Sequence, residues 1–305
     1  MRRRLSALVL LVGTIISTAC DDPVGPVLTP TERCGSQSSP TATISFEDSR
    51  LEAAVRTSLN LGPSGVITCQ LASTVQELSG GSKGIVSLAG IENLTSLRDL
   101  LLADNAIADL SPLSGLTALE ILDLQDNEIT DLTPLANLDL RALSLTRNLI
   151  TDIDPLRSQI RLELLAIDHN DITDIQAVAG MVNMLRLVMF GNRIQDLTPV
   201  ENMVRLDLID VGANPQPDLT PLSNLSTLSV VGLDGANIVT VAPLSDLILL
   251  RLVVLDNNPS LTDIQPLIDN RGFGTRSELW ARETGISCAD FLTLSNRGVT
   301  VLSDC

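Results

Sequence analysis

Between Leu94 and Asn270 the chain returns to one phrase about every 22 residues, and this periodicity constrains the fold more than any other feature. A clear copy runs Leu116-Thr117-Ala118-Leu119-Glu120-Ile121-Leu122-Asp123-Leu124-Gln125-Asp126-Asn127. It continues Glu128-Ile129-Thr130-Asp131-Leu132-Thr133-Pro134-Leu135. One such unit cannot hide its own leucines from water. Stacked units can, so the repeat specifies a solenoid with one continuous core rather than a compact globule.

The spacing Leu-x-x-Leu-x-Leu puts two leucines at alternate positions of a short strand, so both face one side. An asparagine recurs where the chain leaves that strand: Asn105, Asn127, Asn148, Asn170, Asn192, Asn214 and Asn258. Its amide can serve turn backbone groups that would otherwise be buried without partners, each such loss costing roughly 1–3 kcal/mol. The Ile-x-Asp-Leu-x-Pro-Leu arm that follows turns three more apolar side chains inward. Proline cannot continue a ladder, so this arm predicts a 3-10 or irregular turn rather than a full helix. The expected fold class is an α/β-type repeat solenoid: a curved stack, parallel β-sheet on the concave face, 3-10 or irregular turns on the convex face.

The array has irregularities. The third copy is one residue short, so Asn148 follows Asn127 by 21 residues. In the seventh copy Ala236 takes the asparagine position and Asn237 is displaced by one. Asn258-Pro259 carries a one-residue insertion before Leu261, and a degenerate first copy over Leu78 to Ile91 has Lys83 at the ladder position. The count is eight full repeats and one partial one. Atypical end units are expected where one side of the stack meets solvent.

These residues resemble the 22-residue leucine-rich repeats of the internalin-like class of bacterial surface proteins, over roughly Phe46 to Cys305. Phe46-Glu47-Asp48-Ser49-Arg50-Leu51 through Leu59 is similar to that family's N-terminal cap helix, and Ile286 through Cys305 to a C-terminal cap. The resemblance implies a helical N-terminal cap and a binding surface, not a particular ligand. No immunoglobulin-like or wall-anchoring segment follows Cys305, so invasin-type roles are not expected. The cap helix also stands on its own: Leu51, Val55 and Leu59 share one face, Asp48 or Ser49 can cap it, and Gly62-Pro63 is expected to stop it.

Arg2-Arg3-Arg4 precedes an apolar run from Leu5 to Ile16, too short to span a bilayer. Ser17-Thr18-Ala19-Cys20 reads as a bacterial lipoprotein cleavage site that leaves Cys20 lipidated, although Ser17 stands where such sites carry Leu. The competing reading is ordinary signal cleavage near Ala19. Asp21 acts as a retention signal in some bacteria, which leaves the choice of membrane open. Five cysteines leave one unpaired, and Cys20 is the natural odd one. Cys34 and Cys69 flank the N-terminal cap, while Cys288 and Cys305 bracket the C-terminal one. Disulfides there would staple both ends, each worth roughly 2–4 kcal/mol; reduced, buried thiols are the alternative. The expected organisation is a signal peptide over 1–19, a disordered tether over 20–44, an N-terminal cap over 45–77, the repeat array over 78–270 and a C-terminal cap over 271–305.

The net charge of −17 becomes −20 once the three signal arginines are removed, so nucleic acid and acidic headgroups are poor partners. Part of the acidity recurs with the repeat as Asp109, Asp131, Asp152, Asp174, Asp196, Asp218 and Asp263. These can cap the turn before the proline arm. A calcium column is the rival reading, but one carboxylate per rung lacks clustered oxygen ligands, and no metal or other cofactor is expected.

Function must then lie on outward strand positions. The candidate face comprises Ile121, Asp123, Leu164, Asp168, Arg186, Val188, Phe190, Leu208, Asp210, Val230, Asp234, Leu252, Val254 and Asp256, an apolar strip with a row of acids beside it. Partial shielding of that strip by neighbouring strands is the competing expectation. The chain has no Tyr, and Trp280 falls in the C-terminal cap, so Phe190 and Arg186 are the expected anchors. Stacking on a carbohydrate is disfavoured; a protein or peptide with a basic, partly apolar surface fits better. The single histidine, His169, precedes Asn170 on a turn without a nucleophile in motif context. The reading is a non-enzymatic, exported, lipid-anchored binding protein of the cell envelope, acting as a monomer. Its rivals are a self-associating envelope component and, remotely, a glycan-active enzyme using Asp168 and Asp210.

Overall fold

The computed structural model describes residues 25–35 and 39–305. The signal segment and Cys20 lie outside the described residues. Eleven three-residue strands follow one another in a single parallel sheet whose spatial order is the chain order. They are β1 (Glu77–Ser79), β2 (Asp99–Leu101), β3 (Ile121–Asp123), β4 (Ala142–Ser144), β5 (Leu164–Ala166) and β6 (Arg186–Val188). β7 (Leu208–Asp210), β8 (Val230–Gly232), β9 (Leu252–Val254), β10 (Glu278–Trp280) and β11 (Thr300–Leu302) complete the sheet.

Each strand is short because only its central residue points inward before the chain must turn. Leu100, Leu122, Leu143, Leu165, Leu187, Ile209, Val231 and Val253 occupy that central position with 0–1% exposure. The next inward group, such as Leu102 or Leu124, is equally dry. Burying one such side chain contributes roughly 1.5–3 kcal/mol, and only neighbouring rungs supply the cover. Across the core, short 3-10 turns such as Ser111–Leu113, Thr133–Leu135 and Thr198–Val200 carry proline in their first turn. Proline there gives up an N–H that the turn would leave unpaired anyway.

The N-terminal end is closed by helix α1 (Ser49–Ser58), with Leu51, Ala54 and Val55 buried. Asp48 is the cap, its carboxylate accepting from Arg50 N. The helix ends before the expected Gly62-Pro63: Asn60 takes φ 53° and Leu61 N reaches back to Arg56 O. That left-handed turn satisfies the last carbonyls. A four-residue helix α2 (Cys69–Ala72) follows.

Two features differ from the sequence reading. The described part of the segment expected to be a free tether lies folded on the cap. Val27 bridges Thr43, Thr43 bridges Thr68, and Ala42 and Ile44 are buried. Cys34 joins Cys69, and Cys34 N donates to Asn93 Oδ1. Isolated apolar residues among Pro, Ser and Thr suffice here because the open end of the stack offers them a dry surface. At the other end the sheet does not stop at residue 270. Helix α3 (Gln265–Asp269) leads into β10, and helix α4 (Cys288–Asn296) takes the place of a 3-10 turn before β11. Leu279 and Val299 extend the core, and Cys288 is bonded to Cys305. The wider spacing from β9 to β10, 26 residues between Leu252 and Glu278, hides this continuation from a 22-residue template.

Candidate binding face

Register pairing turns the outward side chains into columns. Ile121, Leu164, Arg186, Leu208, Val230 and Leu252 form the first; Asp123, Val188, Asp210 and Val254 belong to the second. Asp168, Phe190, Asp234 and Asp256 lie two residues beyond their strands, in a third. The expected single row of acids is thus split between two columns. Arg186 is exposed, Asp256 is buried and the others are half-buried, so the apolar strip is partly shielded by its neighbours.

Behind this face the asparagines fix the turns. Asn170 Nδ2 donates to the carbonyls of Leu145, Ile167 and Asp168 at 3.0, 3.0 and 3.2 Å, and its Oδ1 accepts from Ile150 N at 3.0 Å. Each amide therefore ties its own rung to the one before. The same pattern holds at Asn127, Asn148, Asn192, Asn214 and Asn258. Asn105, which is half-buried, reaches Gly80 and Leu102 and accepts from Ile85 N. At the seventh rung Ala236 leaves a gap, bridged by Gln216 N donating to Ala236 O.

Two further amides escaped the sequence reading. Gln159, fully buried, donates to Leu135 O and Leu138 O and accepts from Leu140 N, compensating the residue missing from the third rung. Asn270 does similar service at Leu244 O and Leu247 O. A polar residue at an otherwise apolar core position was the available signal.

The recurring aspartates cap turns. Asp109, Asp131, Asp152, Asp174, Asp196, Asp218 and Asp263 each accept from the backbone N–H two residues on, at 2.7–2.9 Å. Where the seventh copy has Thr240 instead, its hydroxyl accepts from Ala242 N at 3.1 Å. Hydrogen bonds from Thr133, Thr198 and Thr220 hold the Asp131, Asp196 and Asp218 carboxyls below their ordinary range.

The centre of the face is built from close approaches. His169 and Phe190 meet edge to face at 5.3 Å. A Cβ on Gly191 would lie 2.9 Å from His169 Nδ1, and one on Gly212 would lie 2.7 Å from the Phe190 ring. A Cβ on Gly232 would lie 2.6 Å from Asp210 Cγ. Glycines thus let an aromatic pair and a carboxylate lie against the sheet. Burial pushes the Asp210 carboxyl above its usual range; the single donor Gly212 N opposes this without cancelling it, and Asp168 and Asp234 add smaller like-charge repulsion.

Other acids are already engaged. Asp168 accepts from Thr146 Oγ1 and Asp234 from Asn257 Nδ2, both at 2.7 Å. Asp256 is occupied by Arg282, whose Nη2, Nε and backbone N reach it at 2.6, 3.1 and 2.7 Å, which removes Asp256 from the set of free acids. Trp280, assigned to the cap by sequence, instead occupies the second column beside Val254. It extends the face with an aromatic side chain, and its indole Nε1 has no partner among the described residues.

Residues 95–137 match the family model described as leucine-rich repeats in two copies. Internalin C2 from Listeria monocytogenes is similar at 34% identity and a TM-score of 0.67, over 68% of this chain and 93% of that one. An internalin, inlF, from the same organism gives 24% identity and 0.68, over 85% and 90%. The leucine-rich-repeat ectodomain of a plant membrane receptor kinase from Arabidopsis thaliana, solved with Casparian strip integrity factor 2, gives 19% and 0.59, over 78% and 30%. The last two share the fold alone. No curated protein matches the chain in sequence.

Proposed function

The chain belongs to the internalin family of leucine-rich-repeat proteins, and from that premise we propose that it is an exported binding protein whose concave face captures a basic, partly apolar protein or peptide. One observation carries this reading: the Phe190–His169 pair lies beside Asp168, Asp210 and Asp234, where burial raises the Asp210 carboxyl pKa and the two neighbouring acids add like-charge repulsion. A ligand lysine or arginine there would relieve the repulsion while its stem packs on Phe190. Arg186, Trp280 and the half-buried first column frame the contact. The binding unit is a single chain, and it binds rather than catalyses. Two disulfides suit an oxidising compartment. The net charge of −17 argues against nucleic acid. Lipidation at Cys20 would hold the protein on a bacterial membrane, and Cys20→Ser is expected to release it from the membrane fraction.

The test is titration with synthetic peptides of fixed length in which lysine, arginine and leucine content varies. Binding is expected to track cationic content, weaken with salt and fall about tenfold or more in Phe190→Ala and in the Asp168/Asp210/Asp234→Asn combination. Equal affinity for all three proteins would remove this face from the function.

A further inference from the structure

The concave face is lopsided about its acidic centre. Asp210 stands in the second column, and three strands away on either side that column reaches very different residues. Toward the N-terminus it passes Val188 and Ala166 to Ser144; toward the C-terminus it passes Gly232 and Val254 to Trp280. Leu302, 45% exposed, follows Trp280 in register, and Leu252 is half-buried on the Val254 strand. The C-terminal side therefore offers large apolar groups where the other side offers small ones. Trp280 is the chain's only tryptophan, a residue type over-represented among the side chains that dominate binding energy. It points outward, half-buried, and its indole Nε1 is buried without a partner among the described residues.

We propose that the ligand of the concave face is an extended peptide segment with a lysine or arginine at the Asp168/Asp210/Asp234 centre and a bulky apolar residue, four positions away, on Trp280. This second anchor rests on the cation-binding reading of the acidic centre and adds a fixed interval to it. With strands about 4.8 Å apart, Trp280 lies about 14 Å along the column from Asp210. An extended chain advances about 3.4 Å per residue and turns alternate side chains to the same side. Its positions i and i+4 therefore span about 14 Å and both face the sheet. Intervals of three and five turn the apolar residue away; two and six miss Trp280 by about 7 Å. In an α-helix four residues cover only about 6 Å. An extended chain also keeps main-chain carbonyls free to accept the indole N–H, whereas a helix has its own engaged internally. Charge complementarity fixes one end of the segment, and the tryptophan fixes the other.

The test is titration of the protein with synthetic peptides carrying one lysine and one leucine at varied intervals, in both sequence orders, in a Ser/Thr background. Heat of binding gives affinity, and the emission of the single tryptophan reports on position 280 alone. The peptide with interval four is expected to bind about tenfold more tightly than those with three or five, and to shift the emission along the same isotherm. Trp280→Ala should abolish that preference while changing the affinity of a lysine peptide without leucine by less than about twofold. Trp280→Phe, which keeps the ring but not the N–H, should retain part of it. Circular dichroism checks that each variant is folded. Binding that follows lysine content alone, with no preferred interval and unchanged emission, would overturn the second anchor and leave the acidic centre as the binding site. Binding indifferent to lysine would overturn both. A preference for four that survives Trp280→Ala, or an optimum near about nine or ten residues as a helix requires, would also contradict the proposal.

Discussion

The asparagine ladder and the acidic centre of the concave face are polar neighbours within the same rungs, yet the fold treats them oppositely. Asn170 is buried with three acceptors and one donor in place. Asp210, two rungs on, has one backbone donor and two like charges for company. Positions set by the repeat are satisfied within the stack by the rung before. Positions that vary from rung to rung hold charge at a cost the isolated chain does not relieve. The first kind builds the surface; the second marks where a ligand is needed.

The strongest way to break the comparison is to show that the ladder is dispensable. Asn170→Ala strands three carbonyls and the Ile150 N–H in a dry site, and should cost about 3–5 kcal/mol in urea unfolding. Gln159→Ala should cost about 2–4 kcal/mol, since it orphans Leu140 N and leaves a cavity in the shortened rung. At the acidic centre the sign reverses. Asp210→Asn keeps an acceptor for Gly212 N, removes the charge and should stabilise the free protein at neutral pH by about 1 kcal/mol. The smallest effect belongs to the turn aspartates. Asp131→Ala should lower the midpoint slightly above the ordinary carboxylate pKa, and the difference should fade as acid protonates the lowered group.

Periodic leucines, alternation and a recurring asparagine made the core, the sheet face and the turns legible in sequence, because each is a local rule repeated. Gln159 and Asn270 showed only as polar residues at apolar core positions, and their partners were not legible because they belong to the preceding rung at irregular spacing. Trp280 was misplaced for a related reason: β10 follows β9 at a longer interval, and register rather than sequence puts Trp280 beside Val254. Asp256 read as a free acid because nothing local announces Arg282, 26 residues later. The described part of the Val27–Ile44 segment shows the limit of composition, since a few apolar groups decide its fate once a dry end is offered.

The charge at Asp210 gives the acidic centre a pH signature that the uncharged asparagine ladder lacks. A raised carboxyl pKa penalises the fold fully above that raised value, and the penalty vanishes below the ordinary carboxylate range. The decisive measurement is therefore the unfolding free energy of wild type and Asp210→Asn across pH, without ligand. The account predicts a variant more stable near neutrality, with the gain shrinking to nothing as the solution is acidified. A variant less stable at neutral pH, or a gain that ignores pH, would contradict it.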